Sequence, residues 1–205
     1  MFSAARRKFA RWKSNSIGRL LGPKSAAPSK ESVVNEFFRY GSQYYLAGRF
    51  GMFAGLMPVA ASLHHHAIEM LLKGALSKSM TLEELRFKLR HRLPKIWKRF
   101  KKVANDPSLS RFDKVIKELS KFDDIRYPDK LLRYGANMMF DITRAGAAQS
   151  FVTGVTEPQY KLCLEDIDEL VAVIFQVASR NKQVYLRFFK PEPDQYLRLH
   201  NRYFP

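Results

Sequence analysis

His64-His65-His66-Ala67-Ile68-Glu69-Met70-Leu71-Leu72-Lys73 decides the reading of this chain. Apolar residues recur here at helical spacing, and Pro58 stands upstream where a helix tolerates proline in its first turn. The helix so predicted carries Val59, Leu63, His66-Ala67, Met70-Leu71 and Gly74 on one stripe. Ser62, His65, Glu69 and Lys73 fall on the neighbouring stripe. A Glu69–Lys73 pair at this spacing is worth only tenths of a kcal/mol when exposed. Consecutive helical residues project about 100° apart, so the three histidines do not converge on one metal ion. His66, on the apolar stripe, reads as a core histidine.

Outward from this helix, the same periodicity recurs. Val34, Phe37-Phe38, Gly41, Tyr44-Tyr45 and Gly48 predict a helix over 31–56. Thr81-Leu82-Glu83-Glu84 has a capping-box pattern, opening a short helix to about Leu89. Pro94 suits the first turn of a helix that buries Leu93, Ile96-Trp97, Phe100 and Val103-Ala104. Ser110-Arg111-Phe112-Asp113 opens another, with Phe112, Val115-Ile116, Leu119 and Phe122 inward, and Pro128 stops it near Tyr127. A last core helix over 164–182 has acids at its start (Glu165, Asp166, Asp168, Glu169) and Arg180 and Lys182 at its end. Its buried stripe is Leu164, Ile167, Leu170-Val171, Ile174 and Val177-Ala178. Between them, Met138, Phe140 and Ile142 alternate, and Phe151-Val152-Thr153 is β-rich, so a short hairpin is expected within 131–160. The fold expected is therefore all-α: an up-and-down bundle of four to five helices over 31–182, after a basic extension over 1–30 and before an aromatic, basic tail over 183–205.

The net charge of +17 is unevenly placed. Residues 1–30 hold eight Lys/Arg and no acid, and residues 86–102 hold nine and no acid. These two segments carry the whole net charge, which points to an anionic partner: nucleic acid, phosphates or an anionic membrane surface. The single cysteine, Cys163, excludes an internal disulfide and a cysteine-based zinc site, and suits a reducing, cytoplasmic setting. No apolar run reaches the roughly 18–20 residues needed to span a bilayer. Within 1–21, Phe2, Phe9, Trp12 and Leu20-Leu21 among arginines and lysines read as an amphipathic arm on a membrane surface or nucleic acid, as a transit peptide, or as an extension with no single role.

Three ordered motifs carry a resemblance: the His64–Lys73 stretch, then His91-Arg92-Leu93, then Asp124-Ile125-Arg126-Tyr127-Pro128. In order and spacing they resemble the HEPN family over about residues 33–182. They match its "h-h-A-x-E-x-x-L-K-A" helix, its "H-x-L" corner and its "R-Y-P" helix end. The resemblance implies a helical bundle, a homodimer, and association with RNA or a nucleotide. It also implies two further roles: the effector half of a toxin–antitoxin pair, and a nucleotidyltransferase-fold antitoxin as partner. Some such partners modify a Tyr two residues after the motif His; Leu93 occupies that place, so this control is not expected.

Arg86-Phe87-Lys88-Leu89-Arg90-His91 satisfies the R-x4-H spacing that many HEPN ribonucleases use without a metal. A histidine exchanges a proton near neutral pH, and an arginine holds a phosphate through two parallel hydrogen bonds. The family's nuclease motif lies in the last core helix, where this chain has no His, and its position after the Arg is polar where this chain has Phe87. His91 therefore also reads as a capping or packing residue. Arg126 reads as a third catalytic candidate and Tyr127 as its neighbour at a phosphate or base. The other reading pairs Arg126 with Asp123 or Asp124 and packs Tyr127 under the turn. Lys88, Arg90, Arg92, Lys95, Lys98, Arg99, Lys101 and Lys102 are the candidate phosphate contacts, which position a strand without reading its sequence. Trp97 and Phe100 lie on the buried stripe, where they do not stack on bases. The sequence holds no phosphate-cradling glycine motif, no G-x-S-x-G and no HExxH, so no cofactor or metal is expected. A catalytically inert dimerisation scaffold is the competing reading.

Overall fold

The computed structural model describes residues 28–122, 138–149, 160–186 and 191–204. They form an all-α bundle with one two-stranded sheet. Helix α1 (Lys30–Phe53) is capped by the Ser29 hydroxyl on the Ser32 N–H at 3.1 Å. Helix α2 (Met57–Leu76) follows after a tight corner and packs antiparallel along the whole of α1. The seam is set by small residues. A Cβ on Gly41 would lie 2.8 Å from the Leu71 side chain, and one on Gly48 would lie 2.9 Å from the His64 ring. Only glycine lets the two backbones come this close.

Thr81 and Glu84 make the capping box at the start of α3 (Leu82–Glu84), which runs into a π-helical turn, Leu85–Leu89. Helix α4 (Leu93–Ala104) starts with Pro94 in its first turn and ends on Asn105 in the left-handed conformation. A 3-10 turn (Pro107–Phe112), capped by Asp106, leads into α5 (Asp113–Lys121). Strand β1 (Met138–Asp141), a short α6 (Arg144–Gln149), strand β2 (Tyr160–Cys163) and α7 (Leu164–Val177) follow. Two short helices, α8 (Lys182–Leu186) and α9 (Pro191–Arg198), complete the described order.

Three expectations are revised. The strands pair in parallel, Met138 opposite Tyr160 and Asp141 opposite Cys163, so they are not a hairpin. Parallel strands need a crossover, and α6 lies within it. Phe151-Val152-Thr153 lies outside the described residues. Second, α2 is buried on nearly every side, because α1, α4, α5 and α7 all pack on it. Its inward histidines are therefore His64 and His65, both buried, while His66 is half-buried and Val59 is exposed. Third, the described residues of the tail are built into the core through Leu186, Leu197 and Phe204.

That last segment closes over a buried charge. Arg49 of α1 is fully buried and pairs with Asp168 of α7, which also accepts from the Tyr45 hydroxyl at 2.6 Å. The remaining Arg49 donors meet the Tyr196 carbonyl at 2.8 Å and the Leu199 carbonyl. Asn201 completes the network by donating to the Tyr45 oxygen and to the Leu197 carbonyl, both at 2.9 Å. Each of the three guanidinium nitrogens thus has a hydrogen-bond acceptor.

Candidate functional site

The corner between the π-helical turn and α4 brings the sequence's first and second motifs together. Arg90 sits at φ 53°, ψ −132°, a conformation costly for a residue with a Cβ, by roughly 1–3 kcal/mol. This turn directs the His91 ring back onto α2. There His91 Nδ1–H donates to Glu69 Oε1 at 2.9 Å. The same oxygen accepts from Lys73 Nζ at 2.7 Å. Glu69 is 0% exposed, whereas the His91 side chain is 58% exposed. A buried carboxylate therefore fixes one edge of a solvent-facing imidazole, leaving Nε2 free to exchange a proton or meet a phosphate.

The other side of Glu69 faces His65. His65 Nδ1–H donates to the Leu119 carbonyl at 2.9 Å, so its Nε2 looks toward Glu69 Oε2 at 3.8 Å. Neither of those two atoms has a hydrogen-bond partner among the described residues. Three buried titratable groups, His65, Glu69 and Lys73, thus share one small locus with the solvent-facing His91. Burying charge is costly, so a locus that served packing alone would be more stable built from apolar residues.

A cleft of about 380 Å³ opens over this locus, lined by His65, His91, Arg92, Leu93, Pro94, Lys95 and Ser120. From its rim a row of cations runs down α4. Lys95, Lys98, Arg99 and Lys102 are spaced at i+3 and i+4, so they share one face, and all four are exposed. Leu93, Ile96, Trp97 and Phe100 take the opposite, buried face, where Trp97 stacks on Phe100 at 5.6 Å. Lys101 departs from its expected outward role: it is half-buried, 2.7 Å from Asp113 and over the Trp97 ring. Lys88 is bonded to Glu84 at 2.7 Å. Arg90, Arg92 and the four-cation row have no acidic partner among the described residues. Arg86 lies over the Phe87 ring at 5.5 Å, and the histidine of the R-x4-H spacing is engaged with Glu69. Arg126, Tyr127 and their alternative partners Asp123 and Asp124 lie outside the described residues, as does the basic arm over 1–21.

Sequence reading missed Glu69 as the anchor of His91 and treated its contact with Lys73 as a surface pair. The available signal was the polar row His65, Glu69, Lys73 on an otherwise apolar helix. Among the described residues no cluster of three or more His, Cys, Asp or Glu could hold a metal ion, and no helix is long and apolar enough to cross a membrane. No family model, no curated protein and no solved structure matches the chain.

Proposed function

We propose that this chain is a HEPN-type protein that binds RNA or a nucleotide through the basic face of α4 and the cleft at His91. The observation that carries the reading is the row Lys95, Lys98, Arg99 and Lys102, exposed and without acidic partners among the described residues, starting at the rim of that cleft. Such a row supplies phosphate contacts whose strength falls steeply with salt. A second reading, metal-independent ribonuclease activity, is favoured by the Glu69–His91 bond: a carboxylate-held imidazole is suited to take a proton from a ribose 2′-hydroxyl. Homodimerisation, a nucleotidyltransferase-fold antitoxin and membrane-surface contact through 1–21 rest on sequence alone.

Incubating the purified chain with total RNA in the presence of a chelator, beside His91→Ala and Arg126→Ala, tests both readings. Cleavage lost in either variant supports the ribonuclease. Salt-sensitive retention without cleavage supports the binding protein. Neither cleavage nor retention refutes both and leaves the inert scaffold.

A further inference from the structure

We propose that Phe87 is a stacking platform for an unpaired base, so that the strand taken up by this surface is single-stranded RNA; the inference rests on the RNA reading of the basic face. At 61% exposed, Phe87 is the most exposed of the large apolar side chains among the described residues. The core does not need it. In the π-helical turn Leu85 and Leu89 point inward at 1% and 5% exposed, and Phe87, midway between them, faces the other way. A phenyl ring left in water forgoes the stabilisation that its burial would contribute.

Its neighbours are the second observation. Arg86 places its guanidinium 5.5 Å from the ring centroid, Arg90 follows three residues on, and His91 opens the cleft one residue later. A flat apolar face set among cations is the arrangement that binds single strands: the ring takes a base and the cations take the phosphates on either side. Bases in a duplex are already stacked on both faces and offer Phe87 nothing. The same residues would suit an anionic bilayer less well. One phenyl ring supplies little apolar area, Glu83 and Glu84 lie one turn upstream, and Lys88 is held by Glu84.

The experiment is fluorescence anisotropy of a labelled oligouridine and of an RNA duplex of equal length, titrated with the full chain at several salt concentrations. Wild type, Phe87→Ala, Phe87→Trp and Lys98→Ala are compared. Phe87→Ala should weaken single-strand binding roughly 5- to 150-fold, the equivalent of one lost base stack, at an unchanged salt slope. Phe87→Trp should bind at least as tightly as wild type. Lys98→Ala should lower the salt slope by about 0.7 for the single strand. Duplex binding should not respond to Phe87→Ala. Unchanged single-strand affinity in Phe87→Ala, or equal losses on strand and duplex, overturns the platform and leaves the RNA reading intact. A wild type that binds neither RNA overturns both. Loss of sedimentation with phosphatidylserine vesicles in Phe87→Ala, with RNA affinity unchanged, assigns the ring to a membrane instead.

Discussion

Acid titrates His64 in the unfolded chain but not in the fold. The ring is 0% exposed, and neither of its nitrogens has a partner among the described residues. Burial, and then the charge of Arg49, hold it down at about 3 from an ordinary 6.5. The unfolded chain therefore takes up a proton below about pH 6.5 that the folded chain refuses. Stability is unaffected above that range and falls as pH drops through it, by about 1.4 kcal/mol per pH unit. Carried down to about pH 3, the loss reaches about 5 kcal/mol, comparable with the whole stability of many domains. His64→Leu replaces the ring with an apolar side chain of similar reach and removes the proton site. Urea unfolding followed by far-UV circular dichroism, at stepped pH, compares the two chains. Near neutrality the variant should be at least as stable, because two unpartnered buried nitrogens are gone. Below about pH 6 its advantage should widen by about 1.4 kcal/mol for each unit. Unfolding free energies that run parallel down to about pH 4 would refute the reasoning, since they would mean that the fold accommodates a protonated His64.

Glu69→Ala should cost roughly 3–5 kcal/mol, because Lys73 stays buried without its counter-charge, whereas Glu69→Leu combined with Lys73→Met should recover most of it. Equal losses in the single and double variants in denaturant titration would contradict that account. Gly48→Ala should lose about 1–3 kcal/mol by driving a methyl group into the His64 ring, and the loss should shrink in a His64→Ala background. A calorimetric midpoint equal to wild type would show that the α1–α2 seam yields freely. Arg90→Gly should gain about 1 kcal/mol, as relief of the positive φ outweighs the added chain entropy. A lowered midpoint would mean the Arg90 side chain holds the corner more firmly than its backbone strains it.

The helices were legible because their signals are local. The Thr81–Glu84 capping box and Pro94 in a first turn each lie within a few residues and stand as read; the α4 stripe holds at Leu93, Ile96, Trp97 and Phe100 but not at Val103, which is exposed, nor fully at Ala104, which is half-buried. The misreadings have non-local causes. A single apolar stripe assumes one buried face, but α2 is enclosed by four helices, so His64 and Glu69 are as deep as Leu71. The partner of β1 is at 160–163, beyond a helix, whereas a hairpin reading searches the adjacent chain. The tail over 183–205 reads from sequence only as aromatic and basic, outside the bundle. Its place is set instead by Arg49, whose buried donors require carbonyls from residues 196 and 199.

That dependence has a consequence during synthesis. Residues 30–76 can pair as soon as they emerge, but the guanidinium that α1 carries at Arg49 acquires its carboxylate only with residue 168 and its last acceptors only with residue 199. Until then α1 holds an unmatched cation, because its counter-charge at Asp168 and its carbonyl acceptors at 196 and 199 lie far downstream of α2. Nascent chains paused before those residues should be the ones that chaperones hold and proteases cut.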